Sequence, residues 1–299
     1  LQPIHELYKT HGDLLLSEPS GELVDAWLRA LRQGPQRWDL LRMSRILERD
    51  ALVGSHEYAL RRQRLHYRLR AEAPSFHLPL PRSYDEYLAQ RSGKFRNYLK
   101  RSEKKLLALG KLEFTRTFTA TALERDYGQL LAIERNSWKH EHGTAISAIS
   151  RQTGFYRHLC HAGLEAGMLH LTLLNLEGTA IAYNLGLVVN GCYYYLKTSY
   201  RQDHRLNGAA TVGRARLIES VISEGVNEFD FPGEPYEWEQ QWTSELRWHS
   251  SLLVYNGTPT GRLVGLANAL KDRWRGRREE RQVVFADARE LKAPTDSQA

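Results

Sequence analysis

The spacing of apolar residues is clearest in the middle of the chain. Three strand-like runs, residues 168–176, 179–189 and 192–200, are separated by Glu177-Gly178 and Asn190-Gly191. An Asn-Gly pair between two such runs is a strong hairpin signal, because both central residues of the turn must tolerate a positive φ. The pattern therefore predicts an antiparallel meander of three strands.

Helical and strand-like spacings alternate on both sides of this meander. Helices are predicted over residues 22–31, 84–109, 123–138, 153–166, 211–223 and 236–242, and a last helix is predicted within 259–299. Strands are predicted over 38–41, 67–69, 112–118, 227–231 and 248–255, and 75–81 is predicted to be an extended loop. This succession of elements predicts an α/β fold with a mixed sheet, of the α+β kind.

The composition is that of a globular protein. The 299 residues include 41% apolar residues, and 42 Lys and Arg against 35 Asp and Glu give a net charge of +7. This balance excludes a wholly disordered chain, and the lack of an apolar run of about 18–20 residues excludes a transmembrane span. Two cysteines, Cys160 and Cys192, favour a reducing, cytoplasmic location over a disulfide framework. Because the chain opens at Leu1 in the middle of a pattern, an upstream segment remains an open question.

The positive charge is concentrated in two segments. Residues 91–105 carry a local charge of +6, and residues 271–281 carry +3. A solvated helix face accounts for such runs, and so does a surface that contacts anionic ligands. In the last helix Leu263, Leu266, Leu270 and Trp274 share one face. That face favours docking on its own domain, with peripheral contact to the inner membrane face as the alternative.

A loop between the meander and the next helix has the features of a phosphate site. Glycine lets the backbone approach a ligand, the helix start offers unpaired N–H groups, and an arginine adds a forked donor. The candidate cofactor-binding residues are Arg205, Asn207, Gly208, Ala209 and Ala210.

This R-x-x-G-x-A loop, in this order of elements, resembles the GNAT acyltransferase superfamily, in which the loop holds the pyrophosphate of acyl-coenzyme A. Five further segments are distinctive: SGKFRNYLKRSEKKLLALG, IERNSWKHEHGTAI, GTAIAYNLG, YYYLKTSY and NEFDFPGEPYEWEQQW. Through them the chain resembles, more narrowly, the CelD-like acetyltransferases of polysaccharide loci, relatives of the FemAB-type aminoacyl transferases. The chain departs from that family where Tyr236 is followed by Glu237 rather than by a lysine.

The resemblance implies two GNAT-like lobes, the first of them incomplete. Residues 1–118 would form a partial first lobe with the basic helix, 119–258 a cofactor-binding lobe, and 259–299 a basic amphipathic helix and tail. It also implies an N-acyltransferase that uses acetyl-CoA or another acyl-CoA and no metal. The acceptor would be an amine of a sugar, an amino acid or a cell-envelope precursor. The alternatives are a FemAB-like enzyme with an aminoacyl-tRNA donor, the one case with a nucleic-acid partner, and a non-catalytic scaffold in polysaccharide assembly.

Four residues are candidates for the proton transfers that amine acylation needs. Asp230, at the end of the NEFDF strand, is the first candidate for the base or for the carboxylate that binds the amine. The alternative interpretation is an aspartate that ends the strand and caps the following turn. Glu134 is the rival base, and a solvated helix position is its other interpretation. Lys197, a charge within an apolar strand, calls for a partner such as Asp230 or an acidic substrate. Tyr236 is a candidate hydroxyl donor or a core aromatic.

Aromatic residues suggest a substrate pocket. The candidate substrate-binding residues are Trp138, Lys139, Tyr195 and Trp238. Backbone N–H groups of residues 195–198 are expected to stabilise the oxyanion. His140 and His142 lack further ligands at zinc spacing, and the chain contains neither G-x-S-x-G nor G-x-x-x-x-G-K-[ST], which argues against a serine hydrolase and a P-loop enzyme.

Overall fold

A computed structural model describes residues 18–47 and 51–274, with side chains for all of these except 51, 52, 205–207 and 272–274. The helices are α1 (Gly21–Gln33), α2 (Ala51–Arg62), α3 (Tyr84–Ala89), α4 (Gly93–Leu107), α5 (Ala120–Arg135), α6 (Trp138–Glu141), α7 (Ser150–Glu165), α8 (Ala209–Ser223) and α9 (Pro259–Trp274). The strands are β1 (Leu40–Leu47), β2 (His66–Pro79), β3 (Leu112–Arg116), β4 (Leu169–Leu176), β5 (Thr179–Val189), β6 (Cys192–Tyr200), β7 (Glu228–Phe231) and β8 (Leu246–Tyr255). Short 3₁₀ turns occupy Ile146–Ala148, Gln202–Asn207 and Glu237–Gln241.

Two compact units make up the fold. The first extends to Ser75 and includes Pro232–Pro235 and the chain from Leu246 onward; the second comprises Phe76–Phe231 and Tyr236–Glu245. These limits differ from the domain boundaries expected at residues 118 and 258. The basic helix α4, expected in the first lobe, lies in the second unit.

The first unit packs α1 and α2 against strands β1 and β8. These strands are antiparallel, with Leu40 opposite Tyr255. The Ser20 hydroxyl caps α1 by accepting a hydrogen bond from the Leu23 N–H, and Gly34 is the C-cap of the helix. The buried core of the unit consists of Val24, Leu28, Trp38, Leu41, Met43, Ile46, Ala59, Leu60, Leu65, Leu252 and Val254.

Helix α9 leaves its apolar face in solvent within the described part of the chain. Leu263, Leu266 and Leu270 are 66%, 62% and 60% exposed. The expectation that these leucines dock on their own domain is therefore wrong for the residues described. Peripheral membrane contact through this helix stays a prediction. No helix of the described residues has the length and hydropathy of a membrane span.

The second unit is built on a sheet with the strand order β2-β7-β6-β5-β4-β3. Only β6 and β7 run parallel; the other neighbouring pairs are antiparallel. Helices α5 and α7 pack on one face of this sheet and α8 on the other. The core beneath α5 and α7 is formed by Leu123, Tyr127, Leu130, Ile133, Ile146, Tyr156, Cys160, Leu169, Leu171, Leu173, Ala180, Tyr183 and Leu185. The predicted α/β fold with a mixed sheet is confirmed.

The turns of the meander adopt the predicted left-handed backbone. Asn190 and Gly191 have φ values of 50° and 75°, and Glu177 and Gly178 have 49° and 73°. Both turns therefore match the hairpin geometry that needs two positive φ angles in succession.

Other elements differ from the sequence prediction, and among them helix α2 was not predicted. The single helix expected over residues 84–109 is two helices, because Ser92 accepts a hydrogen bond from the Phe95 N–H and starts α4 anew. The loop expected at 75–81 is largely strand, since β2 continues to Pro79. The helix expected at 236–242 is a 3₁₀ turn.

Candidate active site

The centre of the second unit is an irregular stretch of strand β6. Tyr195 lies opposite Gly186 and Lys197 lies opposite Leu185, so Leu196 is an extra residue that forms a β-bulge. Because of this bulge, Tyr195 and Lys197 lie on opposite faces of the sheet instead of the same face. The register between β6 and β7 covers Cys192–Tyr194, whereas β6 continues to Tyr200. The strands thus separate next to the bulge.

The start of α8 lies close to helix α4. Gly208 has a φ of +76° and directly precedes α8. A β-carbon at Gly208 would be 2.5 Å from the Ser102 Oγ and 3.7 Å from the Tyr98 hydroxyl, both on α4. Only glycine fits this position, since the site combines a left-handed backbone with a close neighbour. The basic segment of the sequence is therefore next to the predicted phosphate loop.

The other predicted cofactor residues occupy the same corner. Ala209 and Ala210 form the first turn of α8, whose leading N–H groups have no partner within the helix. The backbone of Arg205 and Asn207 belongs to the 3₁₀ turn before Gly208, and their side chains lie outside the described residues. Their role in cofactor binding stays a prediction.

Glu134 is the hub of a buried polar cluster. Its Oε1 accepts hydrogen bonds from the Tyr183 hydroxyl at 2.6 Å and from the Lys139 Nζ at 3.1 Å, and its Oε2 accepts one from the Ile146 N–H. Burial opposes its charge, but Lys139 and these donors hold the pKa of Glu134 below its ordinary value. Lys139 also donates to the Thr198 carbonyl at 2.6 Å, which ties α6 to strand β6.

Lys197 lies on the α5 and α7 side of the sheet. Its Nζ is 5.0 Å from the centre of the Tyr156 ring, and its charge helps to lower the pKa of Glu134. The side chain is 3% exposed. Asp230 and a substrate are the predicted partners of Lys197; in the structure its ammonium lies over the Tyr156 ring and its charge acts on Glu134.

Asp230 lies on β7 at the point where the pairing with β6 ends. It is opposite Tyr194 on one side and His77 on the other, and it is fully buried. It is therefore adjacent to the separation between the strands, which is the position expected of a residue that meets the acceptor.

On the α8 side of the sheet, aromatic side chains surround Arg214. Its guanidinium carbon is 4.0 Å from the centre of the Trp238 ring and 5.2 Å from that of Trp242. Arg214 also donates to the Tyr195 hydroxyl at 3.1 Å, and this hydroxyl donates to Asn184 at 2.8 Å. Tyr195 is thus a buried part of a polar network, which differs from the pocket wall expected of it.

The remaining candidates lie near the ends of elements. Trp138 is half-buried at the start of α6, where its ring contacts that of His142. Tyr236 is half-buried and stacks on Trp238, with 6.2 Å between the centres of the two rings.

Sequence reasoning missed Glu239. It is almost fully buried, accepts a hydrogen bond from the Tyr236 N–H at 3.0 Å, and interacts electrostatically with Arg214 and Asp230. Burial raises the pKa of Glu239 to about 8, which Asp230 supports and Arg214 opposes. Glu134 and Glu239 are therefore buried carboxyl groups whose pKa values shift in opposite directions. The acidic cluster EPYEWEQQ gave no signal for which carboxylate is buried.

The raised pKa of Glu239 predicts a pH-dependent stability. The folded state holds this proton more tightly than the unfolded state, whose pKa is near 4.5, so the contribution is complete at low pH and is lost as the pH rises through about 8. We expect the free energy of unfolding to fall by up to about 1.4 kcal/mol per pH unit across this window. Urea denaturation from pH 5 to 8.5 should show a flatter dependence for Glu239→Gln. Equal slopes for the two proteins would contradict the prediction.

Comparison with known proteins agrees with this geometry. Residues 93–240 match the family model described as an acetyltransferase (GNAT) domain. This stretch is therefore similar to a GNAT-type acetyltransferase domain, and it extends over most of the second unit. No curated protein sequence matches the chain significantly.

Solved structures share the fold at low sequence identity. FemX is 10% identical with a TM-score of 0.59, and the match covers 85% of each chain. A conserved protein of unknown function from Bacteroides thetaiotaomicron is 12% identical with a TM-score of 0.57, covering 78% of this chain and 75% of that one. L-PGS from Bacillus licheniformis is 13% identical with a TM-score of 0.52, covering 83% and 77%. These similarities show a common fold.

Proposed function

We propose that the protein is an acyl-CoA-dependent N-acyltransferase. The observation that carries this proposal is the separation of β6 from β7 at a bulge in the same domain as a glycine-led helix start at Gly208. Such a site suits a donor with an anionic end and a reactive acyl end. The anionic end would meet the helix start, and the acyl end would meet the open edge of β6.

The residues around Gly208 fit the pyrophosphate of coenzyme A. The first N–H groups of α8, at Ala209 and Ala210, offer donors and the positive end of the helix dipole. Helix α4 adds charge, with Arg101 and Lys105 exposed on turns that flank Ser102. When bound, the co-substrate supplies an acyl thioester; this chain supplies the anion site.

The chemistry requires one new bond and two proton movements. The acceptor amine attacks the thioester carbonyl, the C–N bond forms, and the C–S bond breaks as the tetrahedral intermediate collapses. The amine loses a proton to a base, and the leaving thiolate takes up a proton. Backbone N–H groups beside the bulge at Leu196 would stabilise the oxyanion.

The carboxylates divide these roles. Three donors engage Glu134 and its pKa is lowered, so it is a weak base that instead fixes Lys139 and α6 against β6. Asp230, beside the strand separation, is our choice for the carboxylate that binds the amine. Glu239 remains largely protonated at neutral pH and is the candidate proton donor to the thiolate.

The acceptor is an amine of a sugar, an amino acid or a cell-envelope precursor. Trp138, at the start of α6, supports a saccharide because its half-buried ring offers an apolar face. The resemblance to CelD-like acetyltransferases supports an acceptor from polysaccharide synthesis.

An aminoacyl-tRNA donor is the second candidate. The exposed basic side chains of α4, which include Arg96, Lys100 and Lys104, favour it because they can follow a phosphate backbone. The fold shared with FemX is compatible with it. Binding that weakens steeply between low and moderate salt would support this candidate.

Calorimetric titration of coenzyme A and acetyl-CoA into the full chain tests the proposal. We expect saturable binding that Arg205→Glu abolishes. Arg61→Glu makes the same charge change on an exposed residue of the first unit and should leave binding intact. Absence of binding to either compound, with the wild type folded, would overturn the acyl-CoA proposal in favour of the tRNA donor or a scaffold.

A further inference from the structure

Three neighbouring strands of the second unit present metal-ligand side chains on one face of the sheet. On β2 and β7, His77 is opposite Asp230; on β6 and β7, Cys192 is opposite Glu228. Directly opposite residues point to the same side of a sheet, and so do residues two apart on one strand. The four side chains therefore form one group, although they are far apart in the sequence.

Three of these four side chains have ligand atoms that are mutually close. The Sγ of Cys192 and carboxylate oxygens of Glu228 and Asp230 all lie within 4.8 Å of one another. The Cys192 Sγ is 3.5 Å from the Glu228 Oε1, and the His77 Nδ1 is 3.6 Å from the Glu228 Oε2. Zinc bonds of about 2.0–2.3 Å place ligands at such separations after small side-chain rotations.

The ring of His77 provides independent support. Its Nδ1 is buried and makes no hydrogen bond within the described part of the chain. A buried ring nitrogen without a hydrogen bond is costly, and this one faces the carboxylate of Glu228. The side chains of His77 and Glu228 are 19% and 28% exposed, which leaves a path for an ion from solvent.

The donor set selects the kind of ion. A thiolate, an imidazole and two carboxylates suit a borderline-soft cation with tetrahedral coordination, whereas magnesium and calcium prefer oxygen ligands. We propose that His77, Cys192, Glu228 and Asp230 form a zinc site at the end of the sheet where β6 and β7 are paired. Binding releases the thiol proton to solvent. Because the ion engages Asp230, zinc competes with the acceptor amine that we assign to this carboxylate under the proposed function.

Cobalt titration of the full chain, with the metal alone as the probe, tests the site independently of acyl transfer. We expect one equivalent of Co²⁺ to produce a thiolate-to-cobalt charge-transfer band in the near ultraviolet, and zinc to remove it. Excess magnesium should leave the band unchanged.

Matched cysteine variants identify the ligand. Cys192→Ser should abolish the band, while Cys160→Ala, which changes the buried thiol in the core under α7, should retain it. His77→Gln should weaken cobalt binding by about tenfold or more. Circular dichroism confirms that each variant is folded. A wild type without the band, or a folded Cys192→Ser protein that keeps it, would overturn the proposal, whichever way the coenzyme A titration turns out.

Discussion

Glu134→Ala is expected to lower the free energy of unfolding by about 3–5 kcal/mol, because it removes one partner of a buried ion pair. Lys139 would lose its carboxylate, and the Tyr183 hydroxyl and the Ile146 N–H would lose their acceptor. An uncompensated polar group in the interior costs more than the intact pair contributes. Urea denaturation measures the effect directly.

Glu124→Ala is the matched control on the same helix. Glu124 pairs with Arg157 and His161 on the surface, where solvent screens the charges, so the change should fall within experimental error. Glu134→Gln keeps the shape but not the charge and should lie between the two. A Glu134→Ala protein as stable as the Glu124→Ala protein would contradict the role of Glu134 as the hub of the cluster.

Gly208→Ala is expected to weaken coenzyme A binding by at least about tenfold, the effect of about 1.4 kcal/mol. The added β-carbon would meet the Ser102 Oγ and Cβ at 2.5 and 2.7 Å, so α4 or the loop must move. Either movement displaces the N–H groups at the start of α8. Calorimetric titration gives the affinity.

Gly225→Ala separates backbone strain from this contact. Gly225 has a φ of +78° and no atom within 4 Å of an added β-carbon, so it carries the same left-handed strain, about 1–2 kcal/mol, without the clash. The Gly225→Ala protein should bind coenzyme A with the affinity of the wild type. Adding Ser102→Gly to Gly208→Ala removes both clashing atoms and should restore affinity. Unchanged binding in Gly208→Ala would contradict the assignment of this loop.

Much of the second unit's fold could be predicted because its signals are local. Asn190 and Gly191 specify their turn through backbone preference alone, and the alternation on either side gives the strands. The break between α3 and α4 was missed since the apolar spacing continues across it. Ser92, the N-cap of α4, could have indicated a new helix start, but the continuous spacing of apolar residues favoured a single helix.

The site was predicted less completely because its chemistry depends on contacts between distant segments. The sequence indicated Asp230, Glu134 and Lys197 as candidates, but the low pKa of Glu134 comes from Lys139 and Tyr183 together. Glu239 gave no sequence signal because its burial and its interactions with Arg214 of α8 and Asp230 of β7 arise only in the folded chain.

The proposed zinc ligands could not be identified from the spacing of residues along the sequence. His140 and His142, two residues apart, lack further ligands in the sequence, which predicts no metal site. His77, Cys192, Glu228 and Asp230 come together only through the register of three strands. One parallel and one antiparallel pairing are needed to place them, and neither can be read from residue types.

The extra residue in β6 makes the length of this strand as important as its chemistry. Up to Tyr195 the strand follows one alternation, and from Lys197 onward it follows the opposite one. Deleting Leu196 would leave Tyr195 opposite Gly186 and Lys197 opposite Leu185, each on its present face, whereas a deletion or insertion elsewhere in the paired strand would turn the side chains on one side of the change to the other face. Related sequences that keep the function are therefore expected to vary the residues of this strand freely before they gain or lose a single position in it.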